Sequence, residues 1–202
     1  MKKKIGNYYV DILIDNKIYE VQTANFNKLR EKLNFLLRDY DITIIYPVIH
    51  KKIIFWVEES TNEITNGRLS NKKGNYINIF PELYKIKQYL NNNNLHLKLV
   101  LINVDEYKSL NGWDKTKKKG SSRIERVPTE IVDILDIKSI KDYSFFTSSF
   151  NDNLFTSKDF KSLNKCSTKE ANLALNILLF LGIVERVGKQ KRLFLYKNKM
   201  EE

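Results

Sequence analysis

The sequence predicts an α/β fold with a mixed sheet, followed by a small C-terminal domain of two helices and two strands. Two observations lead to this prediction. β-Branched and aromatic runs surround one strongly amphipathic helical segment in the first part of the chain. Residues 154–202 carry two helix-start signals before a pair of strand-like runs. The 202 residues are enough to bury two small cores.

The N-terminal part predicts strands, a helix and further strands. Gly6-Asn7 and Asp15-Asn16-Lys17 suit tight turns, so the chain opens as a three-stranded antiparallel meander with a very short first strand. The apolar residues of the next segment have the helical spacing i, i+4, i+7 and i+8: Leu29, Leu33, Leu36 and Leu37. The runs DITIIYPV and KKIIFWVEE predict two more strands.

The middle of the chain predicts a short helix, a strand, a basic loop and a second helix. PELYKIKQYL is typical of a helix, LHLKLVLINVDEY of a strand, and NGWDKTKKKGSSRIER of a loop. Pro128 suits the first turn of a helix that continues through IVDILDI. The predicted division is therefore an α/β domain at 1–126, a helical linker at 127–153 and a C-terminal domain at 154–202.

The C-terminal segment has strong local signals. Thr156 with Asp159, and Ser167 with Glu170, match the capping box that begins a helix. Gly182 suits the end of the second helix. IVERV and RLFLYK then predict two strands joined by a turn at residues 188–191.

Charge and composition narrow the classes of function. Lys and Arg number 35 against 24 Asp and Glu, and the net charge of +11 favours a polyanionic partner, with nucleic acid first and a membrane surface second. Cys166 is the single cysteine, which excludes an internal disulfide and a multi-thiolate metal site and fits a cytoplasmic setting. No apolar run approaches eighteen residues, so we expect no membrane-spanning segment, and nucleic acid rather than a membrane is the expected partner.

Two carboxylates stand inside the predicted hairpin VDILIDNKIYEVQT. Glu20 and Gln22 share one face of their strand because side chains repeat every two residues, and the hairpin brings Asp11 alongside them. Carboxylates that converge repel each other unless a proton or a cation intervenes. A site for Mg²⁺ or Mn²⁺ explains the pattern, since carboxylate oxygens are preferred ligands of these ions.

Asp11, eight intervening residues and then Glu20-Val21-Gln22, followed by a helix and a strand, resembles the PD-(D/E)XK nuclease superfamily. The resemblance implies a restriction-endonuclease-like core. It also implies that Asp11 and Glu20 ligate the metal together with the backbone carbonyl of Val21. The alternative without a metal site is a generic α/β domain in which both carboxylates are exposed at a strand edge.

The sequence departs from that superfamily in two ways. Gln22 stands where most members have lysine, so Lys28, Arg30 or Lys32 of the following helix would supply the positive charge. The resemblance thus implies these catalytic residues: Asp11, Glu20, Gln22 and Lys32. No opening helix precedes the first strand, so one sheet face is expected to be exposed unless a second copy or a partner protein covers it.

The C-terminal segment, with GIVERVGKQKRLFLYK at its end, resembles a winged helix-turn-helix domain. A nuclease core followed by a winged helix is similar in architecture to TnsA-type transposition endonucleases. The resemblance implies a DNA-binding endonuclease of a mobile-element or defence system. Two alternatives are a non-catalytic DNA-binding regulator or assembly factor with a degenerate nuclease fold, and a winged helix that binds protein.

Three groups of residues are predicted to contact DNA. The second helix of the C-terminal domain presents short polar side chains for base edges, and its wing and the basic loop present cations for phosphates. The residues on the helix are Thr168, Lys169, Asn172 and Asn176. Those on the wing are Arg186, Lys189, Lys191 and Arg192. Those in the basic loop are Lys117, Lys118, Lys119 and Arg123.

Overall fold

The computed structural model describes residues 3–58, 60–113 and 119–199. Its strands are, in chain order, β1 (Lys3–Ile5), β2 (Tyr8–Val10), β3 (Ile12–Ile14), β4 (Lys17–Val21), β5 (Asp41–Val57), β6 (Arg68–Leu69), β7 (Leu95–Trp113), β8 (Lys119–Ile137), β9 (Val184–Gln190) and β10 (Leu193–Asn198). Its α-helices are α1 (Arg30–Leu36), α2 (Phe80–Leu83), α3 (Ser157–Leu163) and α4 (Thr168–Phe180). Short 3-10 helices cover Phe26–Leu29, Tyr76–Ile79, Tyr84–Tyr89, Ile140–Phe146 and Ser148–Phe150.

A mixed sheet in the order β3-β4-β5-β7-β8 makes this an α/β protein, as the sequence predicts. β3 and β4 are antiparallel, with Ile12 opposite Tyr19. β4 and β5 are parallel, with Lys17 beside Asp41 and Val21 beside Ile45. A parallel pair requires a crossover connection, and the segment that contains α1 provides it.

The chain divides into two compact units. The first unit comprises Met1–Tyr46, Tyr76–Leu99 and Leu135–Glu202, and the second comprises Pro47–Asn75 and Val100–Ile134. These units cut across the predicted limits at 126 and 153, so the sequential domain boundaries stay a prediction. Among the residues that the structure describes, no helix has the length and apolarity needed to cross a membrane.

The sheet of the first unit is covered on one face. The apolar stripe predicted for the first helix is confirmed as core, because Leu29, Leu33, Leu36 and Leu37 are all buried. The ion pair between Lys32 and Glu20 shows that α1 lies over the face of β4 that carries Glu20. On the other face Ile12, Ile14 and Val21 are 48%, 58% and 52% exposed, so this face is open to solvent in the single chain.

Three expectations about the middle of the chain are wrong. DITIIYPV and KKIIFWVEE form one continuous strand, β5, rather than two. The basic loop is shorter than expected, because residues 111–113 end β7 and residues 119–126 begin β8. The helix expected from Pro128 is instead the second half of β8. β8 is the last strand in the sheet order, and an edge strand tolerates a proline that donates no hydrogen bond.

The local signals of the C-terminal segment are confirmed. Both capping boxes are formed at the starts of α3 and α4. Gly182 follows α4 with a φ of +73°, in the left-handed region that glycine adopts without strain. β9 and β10 are antiparallel, but β9 extends through Gln190, so the expected turn at 188–191 is wrong. The turn lies at Lys191, which has a φ of +55°, and Arg192.

Helix α4 also packs against residues 76–89 of the same unit. Asn78 donates a hydrogen bond to the Glu170 carboxylate (2.8 Å), and the Lys87 ammonium donates one to the Asn176 side chain (2.8 Å). The same ammonium lies 4.7 Å from the centre of the Phe180 ring. Ile177 of the same helix is fully buried.

Candidate active site and nucleic-acid interface

The second predicted strand is interrupted at Asp11, so this carboxylate does not stand inside a regular strand. It lies in a bend between β2 and β3, and continuing the β3–β4 register puts it opposite Glu20. Its backbone N–H donates to Oε1 of Glu20 (3.2 Å), while its own Oδ2 accepts from the Val21 backbone N–H (3.0 Å). Each carboxylate therefore accepts a hydrogen bond from a backbone N–H of the other segment at this point.

Glu20 is a buried carboxylate with a cation beside it. Its side chain is 8% exposed, and the Lys32 ammonium, 13% exposed, lies 2.5 Å from the same Oε1. Lys32 also donates to the backbone carbonyl of Tyr9 (2.5 Å), so two acceptors on two segments fix its position. Burying an ion pair costs desolvation that only good hydrogen bonding offsets, and this pair has it.

Of the residues that the resemblance implies for catalysis, Glu20 therefore contacts two others, the backbone of Asp11 and the ammonium of Lys32. Gln22 follows one residue past β4, and its side-chain amide donates to the carbonyl of Ala24. The Gln22 amide is thus hydrogen-bonded to a neighbouring backbone carbonyl. In the described parts of the chain, no group of three or more His, Cys, Asp or Glu side chains is placed to hold a metal ion.

The predicted base-reading face of α4 is partly available. Thr168, Lys169 and Asn172 are exposed, as contact with a duplex would require. Asn176, one turn further, is half-buried and accepts the hydrogen bond from Lys87. The open part of this face is therefore the N-terminal half of α4.

The predicted wing, β9 and β10, presents cations that contact an aromatic ring. The Arg186 guanidinium lies 4.2 Å from the centre of the Phe194 ring, and the Lys189 ammonium lies 5.1 Å from it. Such cation–π contacts restrain long side chains that would otherwise be mobile. Lys191 and Arg192 are exposed at the turn between β9 and β10.

The structure describes only some residues of the predicted basic loop. Lys117 and Lys118 lie outside the described residues, as does the side chain of Lys119. Arg123 is exposed on β8.

The second unit contains a cluster of one buried carboxylate and three cations, and the sequence did not predict these ion pairs. Glu106 on β7 is 2% exposed and forms ion pairs with Lys52 on β5 (2.8 Å) and with Arg126 on β8. Lys108 lies 3.8 Å from the same carboxylate and 5.4 Å from the centre of the Trp56 ring. Burial by itself would raise the pKa of Glu106, but hydrogen bonds from Lys52 and Arg126 outweigh it and lower that pKa. Only the pairing of three strands could have revealed this cluster.

Comparison with known proteins identifies a family without an assigned activity. A family model with the description "Domain of unknown function (DUF8091)" matches residues 1–138. An "Uncharacterized protein" of Treponema pallidum (strain Nichols) is 29% identical over 131 residues, which are 64% of this chain and 49% of that protein. The chain thus spans about half the length of this relative. No solved structure matches the chain.

Proposed function

The chain belongs to the family described as a domain of unknown function (DUF8091), and we propose that it is a DNA-binding protein that hydrolyses phosphodiester bonds with Mg²⁺ or Mn²⁺. The observation that carries the proposal is the meeting of Asp11, Glu20 and Lys32. Oε1 of Glu20 accepts from the Asp11 backbone and from the Lys32 ammonium. A divalent cation bound by carboxylates is a common means of hydrolysing phosphodiester bonds, and both Asp11 and Glu20 carry one.

The donor atoms suit the proposed ion. The carboxylates of Asp11 and Glu20 and the carbonyl of Val21 are all hard oxygen donors. Mg²⁺ is commonly bound by one or two carboxylates, with waters and substrate phosphates as the remaining ligands, so the absence of a third acidic group among the described residues does not conflict with it. When bound, such an ion polarises the scissile phosphate and lowers the pKa of a water molecule.

Lys32 takes the charge role in this proposal. Its ammonium is fixed by Glu20 and by the Tyr9 carbonyl, so it is preorganised to stabilise negative charge on a phosphate. Gln22 cannot supply that charge and donates to Ala24. The segment order supports the same proposal in part, because the antiparallel pair β3 and β4 is followed by a helix and a strand, whereas β1 and β2 pair in a separate sheet instead of completing the expected three-stranded meander.

The C-terminal segment supports DNA as the substrate. Two capped helices precede an antiparallel strand pair, the order that the winged-helix resemblance implies. The exposed polar start of α4 and the cations of the wing suit base edges and phosphates respectively. The net charge of +11 favours the same partner.

A second candidate is a DNA-binding regulator or assembly factor whose nuclease fold is degenerate. The observation that favours it is the pairing of the Glu20 carboxylate with Lys32, because an ammonium at Glu20 competes with a divalent cation. The engagement of Gln22 with Ala24 favours it as well.

Cleavage assays separate the two candidates. Supercoiled, linear and branched DNA are incubated with Mg²⁺ or Mn²⁺ and with the wild type, Glu20→Gln or Glu106→Gln. Glu106 is the matched control because it is also a buried, ion-paired carboxylate. We expect Glu20→Gln to slow cleavage at least about a hundredfold, and Glu106→Gln to change it less than about threefold wherever the variant is folded. Equal cleavage by wild type and Glu20→Gln would remove the enzyme proposal.

DNA affinity is tested on the wing. Lys189→Ala combined with Arg192→Ala removes two cations expected to contact phosphates. Each lost contact reduces the slope of log affinity against log salt by about 0.9, so we expect a decrease of about 1.8 in fluorescence anisotropy titrations. An unchanged slope would show that the wing does not contact DNA.

A further inference from the structure

A cationic cavity lies beside the start of α4, and apart from Thr168 its lining residues were not among the predicted DNA contacts. Its volume is about 540 Å³. The walls come from α3, from the turn between α3 and α4, and from Leu193 at the start of β10. All of these residues belong to the first unit.

The cavity concentrates positive charge. Lys158 and Lys161 line it from one side of α3, at the spacing i and i+3, and Lys165 lines it from the turn that follows the helix. All three are exposed, and across the described ranges none of their ammonium groups forms an ion pair. No Asp or Glu occurs among the described residues that line the cavity. Nothing on its walls therefore offsets the three charges.

Hydroxyl groups complete the lining. Ser157, Ser162 and Thr168 place three neutral hydrogen-bond donors among the lysines. Lysine with serine and threonine is the donor set that proteins use for phosphate oxygens of nucleic-acid backbones. A cavity of this volume is also larger than one phosphate group needs, which favours a stretch of backbone.

The position of the cavity connects it with the proposed DNA interface. Thr168, on its rim, is the first residue of α4 and one of the exposed residues predicted to reach base edges. Leu193 adjoins Arg192 of the wing turn. The cavity is therefore contiguous with both predicted contact surfaces of this segment.

We propose that this cavity binds the sugar-phosphate backbone of duplex DNA through Lys158, Lys161 and Lys165. This inference rests on the proposed DNA binding, and it assigns part of the phosphate contact to α3 rather than to α4 and the wing. The three ammonium groups each neutralise a phosphate charge, while the hydroxyls donate to phosphate oxygens. Cys166, the single cysteine of the chain, also lines the cavity and so reports its occupancy.

The experiment combines affinity with alkylation of Cys166 in the full chain. The test variant carries Lys158→Ala, Lys161→Ala and Lys165→Ala. The control variant carries Lys3→Ala, Lys51→Ala and Lys72→Ala, three exposed lysines elsewhere whose loss changes the net charge equally. Three lost phosphate contacts should lower the salt slope by about 2.7 and the affinity for duplex DNA on the order of a hundredfold at 0.15 M salt. The control should lose no more than about threefold.

Alkylation by N-ethylmaleimide, a neutral reagent, provides the local readout. We expect duplex DNA to slow the modification of Cys166 at least about fivefold in the wild type and in the control variant, and not in the test variant. If the wild type binds DNA while the test variant binds equally well and Cys166 is not protected, the inference fails and the proposed DNA binding stands. If the wild type does not bind DNA, both fail. Protection by tripolyphosphate but not by DNA would assign the cavity to a small phosphorylated ligand and overturn the inference.

Discussion

The two buried carboxylate clusters differ in the balance of their charges. In the first unit Glu20 forms an ion pair with Lys32, so one cation is matched to this carboxylate. In the second unit Glu106 is surrounded by Lys52, Lys108 and Arg126, so the positive charges exceed it by two. The surplus of cations gives the second cluster an electrostatic reason to repel a divalent cation, a reason that the one-to-one pair of Glu20 and Lys32 lacks. Burial alone would not have distinguished them.

The largest expected difference is in stability. Glu106→Gln leaves three cations together without an anion, and we expect it to lower the free energy of unfolding by about 3 kcal/mol. Glu20→Gln also relieves the repulsion from Asp11, so its cost should be only about 1 kcal/mol. Urea denaturation of both variants measures the two values. Equal losses would mean that the charge balance of the clusters does not matter for folding.

A second prediction separates cation binding from catalysis in the first unit. Lys32→Gln removes the positive charge that competes with the metal at Glu20, so Mn²⁺ affinity should not fall. The same change removes charge stabilisation of the phosphate, so cleavage should fall about a hundredfold. Calorimetry and single-turnover cleavage give the two numbers. A parallel loss of both would make Lys32 a purely structural partner of Glu20.

The dependence of stability on pH tests the second cluster with a smaller effect. The pKa of Glu106 is lower in the folded protein than its ordinary value of 4.5, so its stabilisation is complete above about pH 4.5 and is lost as the pH falls through the folded pKa. The difference in unfolding free energy between the wild type and Glu106→Gln should therefore shrink from pH 5 towards pH 3. A difference that stays constant over this range would show that the carboxylate charge is not what stabilises the cluster.

Elements with short-range signals were predictable from the sequence. The capping boxes at Thr156 and Ser167 depend on residues three positions apart, and the structure forms both. The leucine stripe of α1 follows the same logic. Pro128 was ambiguous, because proline suits both the first turn of a helix and an edge strand, and only the sheet order decides between them.

The two clusters differ in how well the sequence alone predicts them. Asp11 and Glu20 belong to one hairpin. Their pairing can therefore be predicted from the two-residue repeat of a strand and the position of one turn. Glu106 meets Lys52 only through the pairing of β5 with β7, which are far apart in sequence, and it meets Arg126 through the register of β7 and β8. Contacts that depend on the register of distant strands cannot be obtained from local patterns.

The binding of Mn²⁺ to the purified chain, measured by titration and electron paramagnetic resonance, tests the central claim most directly. Our account predicts one site in the wild type, its loss in Asp11→Asn and Glu20→Gln, and its persistence in Glu106→Gln. A wild type that binds no Mn²⁺, or a site that survives in both Asp11→Asn and Glu20→Gln, would contradict the account.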